Sequence, residues 1–241
     1  MRPEVSTAIQ KTPAGARARH QNGSLEAEWH FSFGRYFDPA RVHFGALRAY
    51  NRLVLKPGAE LAPHAHRDME ILTIVMRGRL THTDDRDTVL TLCPGDVLAL
   101  SAGRGLHHAQ ANRGREPVEL VQVWILPDRP HLVPRLAVAR MPDDGPATSW
   151  WVAAAGPEAK EAPLVVHQRA RLALARPPAG ARLRWPARPS TRLYLHAWQG
   201  AGRVGPITLE TGDTLEFVPA EPFELSTSES GWWVLVEVPE L

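Results

Sequence analysis

Two short histidine clusters are the part of this chain whose residue types and spacing could do chemistry. His64-Ala65-His66 precedes an apolar run. In an extended segment side chains 64 and 66 point to the same side, as two imidazoles sharing one metal ion must. The pair alone is weak, because 11 His in 241 residues give about 0.5 such pairs by chance. His107-His108-Ala109-Gln110-Ala111-Asn112 strengthens it. Extended, that segment puts 108, 110 and 112 on one face and turns His107 away. Two such segments facing each other in a narrow barrel can close a four-ligand site. Cys93 is the single cysteine, so no internal disulfide or Cys-based zinc site can form. The metal ligands must be His and oxygen donors, and the compartment is expected to be reducing.

The elements that must position these residues are short strands. Runs rich in Val, Leu, Ile and Thr occur at 47–55, 69–76, 88–92, 97–100 and 118–126, then at 171–175, 182–185, 192–198, 207–209, 214–218 and 232–238. Pro, Gly and Asp clusters separate them, and no long amphipathic helix intervenes. Leu90 to Leu100 aligns with Ile207 to Phe217 at an offset of 117, and 69–78 with 191–200 at an offset of 122. The five-residue difference falls in a loop, so two copies of one small β-barrel are expected. The alignment sets His64 on Pro186, His66 on Arg188 and His108 on Leu225, which leaves the second copy without ligands. Residues 1–128 form the first barrel, with 1–25 as a loose arm. Residues 129–163, interrupted by prolines, read as a connection, and 164–241 as the second barrel.

Composition excludes several classes. With 44% hydrophobic and 22% charged residues the chain is an ordinary globular one. The net charge of +2 is small for a polyanion binder, so no direct nucleic-acid binding is expected. No apolar run suits a signal peptide or membrane span, which points to a cytoplasmic protein. Residues 162–209 carry eight Arg and no acid, and 210–241 carry eight acids and no base. Arg169, Arg171, Arg182, Arg184 and Arg188 could form an anion stripe, but alternation along strands favours pairing with acidic neighbours. Asp96 and Asp213 suit turn caps. His43, His82, His107 and His196 read as surface or hydrogen-bonded histidines, and Trp29, Phe31 and Phe33 as one buried face rather than a substrate entrance.

The spacing Gly58, His64-x-His66, Glu70, then Pro94-Gly95-Asp96 and His108-x-x-x-Asn112 resembles the two cupin motifs. Trp29-His30-Phe31-Ser32-Phe33-Gly34, Phe44 to Arg48, His64 to Ile71, Ser101 to Gly105 and Gln122 to Pro127 are similar to the pirin family of bicupins. Val166-His167-Gln168 resembles the start of that family's second barrel. The resemblance implies an all-β chain of two tandem cupin (double-stranded β-helix, jelly-roll) barrels, with one metal ion in the first.

By that resemblance the ligands are His64, His66, His108 and residue 110. The family has Glu there and this chain has Gln110, whose amide can coordinate through oxygen but brings no charge. Weaker metal binding is therefore expected, with iron the first metal and nickel, copper, manganese or zinc as alternatives. Bacterial members resemble quercetin 2,3-dioxygenases, so the implied activity is oxidative ring opening of a small phenolic, flavonol-like substrate. Glu70, with the same parity as His64 and His66, is either the base that Gln110 cannot be or a hydrogen-bond or salt-bridge partner for Arg67 or a ligand His. The alternatives are a non-catalytic metal- or redox-sensing protein that binds a partner, as a transcription cofactor would, and a degenerate cupin without metal. A monomer is slightly favoured.

Overall fold

In the computed structural model the described residues are 9–143, 148–219 and 222–241. They fall into two compact units. One comprises Arg17–Pro142 with Ala153–Arg169; the other comprises Ala170–Leu241 with the described parts of Met1–Ala16 and Asp143–Val152. Both are β-barrels of jelly-roll form, and no helix is long and apolar enough to cross a membrane.

In the first barrel seven antiparallel strands lie in the order Arg135–Arg140, Asp96–Ser101, Glu70–Arg77, Val118–Ile125, Leu47–Leu55, Leu25–Trp29 and Ala18–Gln21. A four-stranded sheet, Glu60–His66, Leu106–Ala111, Leu80–Asp84 and Val89–Leu92, forms the other wall. Directly opposed residues in an antiparallel ladder share a face, so the register shows what lines the interior. One row is apolar, Leu53–Leu120–Val75; the next is polar, Asn51–Gln122–Thr73; the next is Ala49–Trp124–Ile71. The polar row is buried, which a barrel tolerates only where partners or a ligand meet it.

The second barrel repeats the frame and loses the polar layer. Its large sheet runs Gln10–Thr12, Thr214–Phe217, Thr191–Ala197, Trp233–Pro239 and Arg171–Ala175, and Arg182–Trp185, Phe223–Thr227, Gly202–Val204 and Ile207–Leu209 form the small one. The row matching Asn51–Gln122–Thr73 is Ala173–Leu235–Leu195. The repeat extends to single bonds. Gly95 donates to Val75 O at 2.9 Å and Gly212 to Ala197 O at 2.6 Å, reproducing both offsets. Both glycines have φ near +88°, at 88° and 87°, a left-handed turn that needs no Cβ. Asp96 accepts from Cys93 N at 2.7 Å and Asp213 from Glu210 N at 3.0 Å, so both aspartates do cap their turns.

Two expectations need correction. Of the arm, residues 1–8 lie outside the described residues, but Gln10–Thr12 pairs with Thr214–Phe217, and Lys11 Nζ meets Asp213 at 2.8 Å. The arm is thus a strand of the second barrel followed, from Ala18, by an edge strand of the first. The connection 129–163 also contributes structure. Arg135–Arg140 pairs with Asp96–Ser101 at the sheet edge, where prolines just outside the strand remove no ladder bond. Of the candidate stripe, Arg171 pairs with Glu237 and Arg182 with Glu224 at 3.6 Å, and nearby Arg192 pairs with Glu240.

Candidate metal centre

Strand Glu60–His66 sends His64 and His66 to one side, and Leu106–Ala111 lies antiparallel to it with His108 directly opposite His64. The three imidazoles converge. Their centroids are 4.6 to 4.8 Å apart, and one nitrogen from each lies within 4.8 Å of the others. It is the one such cluster of His, Cys, Asp or Glu among the described residues. His64 Nδ1 lies 2.7 Å from Ala62 O, which fixes the ring and leaves Nε2 for the cluster. His107 points away and meets Asp85, as strand alternation requires.

Electrostatics favour neutral, ligand-ready rings. Burial and then the neighbouring His64 lower His66 to about 4. Burial, with His64, His66 and His82 adding, lowers His108 to about 3. Both are deprotonated near neutral pH, as a metal ligand must be. Both His108 nitrogens are buried and without a hydrogen-bond partner among the described residues. Three converging imidazoles with unspent nitrogens fit a divalent transition ion.

Gln110 is fully buried on the strand of His108, beyond a register irregularity between residues 108 and 110. Its Oε1 accepts from Gln122 Nε2 at 2.8 Å, and its Nε2 donates to Thr73 Oγ1 at 3.3 Å. Its amide is therefore oriented by the polar row of the opposite sheet. A carbonyl oxygen has two lone pairs, so one remains for an ion. Asn112 instead braces a loop, donating to Leu55 O and Glu116 O.

Glu70 stands apart from the ligand cluster. The parity argument fails because Asp68, at φ 49°, turns the chain from one sheet into the other between His66 and Glu70. The buried Glu70 carboxylate accepts from Ser101 Oγ at 2.5 Å and from His167 N at 3.2 Å. These bonds tie the Val166–Gln168 segment to the barrel. The expected partnership with Arg67 or a ligand His is replaced by this one.

The register also revises the expected equivalents in the second barrel. Leu225, matching His108, lies opposite Leu183 rather than Pro186, and Trp185 follows on the same face. The loop between strands differs in length, so a fixed offset slips there. Trp185 donates to Glu237 at 3.0 Å, Arg171 pairs with that carboxylate, and Leu183 and Leu225 join the apolar core. The ligand positions are filled by Leu183, Trp185 and Leu225, with the Arg171–Glu237 ion pair set against Trp185.

The structure corrects the expectation that His82 lies at the surface or in hydrogen bonds, and it adds an aromatic wall beside the triad. His82 is fully buried beside His108, with ring centroids 5.2 Å apart. Burial lowers its pKa, with Asp84 opposing. The signal was a His at an alternating position of Leu80-Thr81-His82-Thr83. Trp124 meets His66 edge-on at 4.8 Å and Phe33 at 4.9 Å, and Trp29 lies beyond at 6.4 Å from Phe33. Phe31 is core as expected, but Trp29, Phe33 and Trp124 are only half-buried and make an aromatic wall running from His66.

Comparison with known proteins agrees with this geometry. The family described as Pirin matches residues 13–125, and the quercetinase C-terminal cupin domain matches 153–238. A Zymomonas mobilis protein provisionally named quercetin 2,3-dioxygenase is 34% identical over 216 residues, covering 89% of this chain and 92% of that one. The quercetin 2,3-dioxygenase of Escherichia coli K12 is 34% identical over 157 residues, 64% of this chain and 66% of that one. Among solved structures, YhhW from E. coli superposes with a TM-score of 0.91 at 26% identity, over 97% of this chain and 99% of that one. Its complex with nickel(II) gives 0.90 at 26% identity, over 97% and 100%. With two cupin barrels, a histidine triad in the first and relatives matched over nearly their whole length, the chain belongs to the pirin family.

Proposed function

We propose that the protein is a metal-dependent dioxygenase of the quercetinase type, opening the ring of a small phenolic, flavonol-like substrate with O2. The observation that carries the reading is the convergence of His64, His66 and His108 beside a half-exposed aromatic wall. Iron is the first metal in this reading. Nickel, bound in the E. coli YhhW complex, is the next, ahead of copper, manganese and zinc. A divalent ion would supply Lewis-acid polarisation of the substrate's hydroxyl and ketone oxygens.

The chain's own residues do the rest. His64, His66 and His108 present three nitrogen donors, and Gln110 offers one lone pair and no charge. Trp124 and Phe33 give a planar substrate a surface to stack on. The ligand cluster holds no carboxylate, and Glu70 is engaged by Ser101 and His167. The substrate hydroxyl thus loses its proton to solvent, and turnover rises with pH toward the flavonol's own ionisation. The reading places the protein in the cytoplasm, acting on a small molecule.

One observation favours a second reading. Gln110, neutral and held by Gln122, suits a protein that binds metal without turnover and signals its redox state to a protein partner. Oxygen uptake with a panel of flavonols, on protein reconstituted separately with iron(II) and nickel(II), decides between them. Uptake that tracks substrate loss and rises with pH is expected; none at full metal occupancy rules out the dioxygenase.

A further inference from the structure

His82 has no role in the reaction just proposed, yet it is 0% exposed and neither ring nitrogen has a hydrogen-bond partner among the described residues. Its strand, Leu80–Asp84, pairs with Leu106–Ala111, setting His82 opposite Gln110 and next to His108. A neutral imidazole carries one N–H and one lone pair. When one nitrogen of His108 faces an ion, the other must carry the proton, and such protons are normally held by an acceptor that fixes the ring.

The nearby carboxylate does not supply that acceptor, since neither His108 nitrogen has a hydrogen-bond partner among the described residues. Asp84, opposite His108 in the ladder, accepts through Oδ1 from the amides of Arg86 and Thr88. The lone pair of His82 is unspent. Two imidazoles joined by an N–H···N bond of about 2.9 Å, with about 1.15 Å from each centre to its nitrogen, stand about 5.2 Å apart. His82 and His108 are 5.2 Å apart with ring planes at 50°. Rotation of the His82 ring toward that bond would break no other, since the ring makes none among the described residues.

We propose that His82 is a positioning residue that accepts the ring N–H of His108, fixing the tautomer and orientation of that ligand; this rests on the metal-site reading above. The test uses full-length 15N-labelled protein, metal-free and loaded with zinc(II), and long-range 1H–15N spectra of the imidazoles. A His108 ring proton protected from exchange and coupled through the hydrogen bond to a His82 nitrogen is expected. That proton should vanish in His82→Phe, with zinc affinity falling about 10- to 100-fold. His82→Gln, which restores an acceptor, should recover most of the loss. A His108 ring proton without coupling to His82 in the parent overturns the proposal whether or not His82→Phe folds. So does zinc affinity within about twofold of the parent in a folded His82→Phe. A parent that binds no zinc contradicts the metal reading alone, because the metal-free spectrum still reads the pair.

Discussion

Gln122 donates its amide to Gln110 Oε1 at 2.8 Å, from a sheet facing the one that carries Gln110. The contact joins the polar row Asn51–Gln122–Thr73 to the histidine strand, and it determines how residue 110 is presented. A carboxylate placed there would keep the Gln122 Nε2 donor, and the Thr73 hydroxyl, which accepts from the Gln110 amide, would have to turn and donate instead.

Gln110→Glu should therefore tighten divalent metal binding by about tenfold or more, because a charge offsets the ion's desolvation where an amide does not. Without metal the same change buries a carboxylate and should lower the melting temperature. Calorimetric titration and melting with and without metal check both directions. Unchanged affinity would place residue 110 outside the coordination sphere.

The second barrel supplies a design for abolishing the site without harming the fold. His64→Leu combined with His108→Leu copies the opposed Leu183 and Leu225. Metal binding should be lost, while the metal-free protein melts at the same temperature or higher, as the buried, unpartnered His108 imidazole is replaced by hydrocarbon. Retained metal stoichiometry in that variant would contradict the assignment.

Glu70 is expected to matter for stability rather than for turnover. Glu70→Ala leaves Ser101 Oγ and the His167 amide without their acceptor, at a cost of about 2 to 3 kcal/mol by denaturant unfolding. Metal affinity should not move. A variant with unchanged stability and lost turnover would return the base role to Glu70.

Acid should weaken the metal-free protein in a defined window. His66 and His108 bind protons in the unfolded chain near 6.5 but in the fold only at about 4 and about 3. His30 is likewise lowered, by burial and then by Arg17, Arg41 and Arg52. The unfolded state thus binds more protons between these values, so stability is full above about 6.5 and falls as pH drops toward 4. Asp213, lowered by Lys11 and backbone amides against its burial, adds loss only below the carboxylate range. Urea midpoints at several pH values check this; a flat midpoint from pH 7 to 4.5 contradicts it.

Much of the fold was legible because the strands of the large sheets are apolar-rich runs bounded by breakers, as in Leu47–Leu55 and Trp233–Pro239. The strands that escaped, such as Leu80–Asp84 and Gly202–Val204, are short or carry polar residues inward, so they lack such a run. The His triad was legible from spacing because both of its segments are extended. Glu70 was misread because one left-handed residue, Asp68, moves the chain to another sheet and resets the parity. His82 was misread as a surface or hydrogen-bonded residue because burial of a lone His has no local signature; it is set by the ladder partner, Gln110. The loose arm was misread because its partner, Asp213, lies about two hundred residues away in the chain.

The central claim is that His64, His66 and His108 together hold one transition ion. Elemental analysis of freshly purified protein, before and after incubation with iron(II) or nickel(II) and desalting, tests it most directly. About one equivalent per chain, falling to background in His108→Ala, is the predicted result. Less than about a tenth of an equivalent of any transition metal after reconstitution, or undiminished metal in His108→Ala, would contradict it.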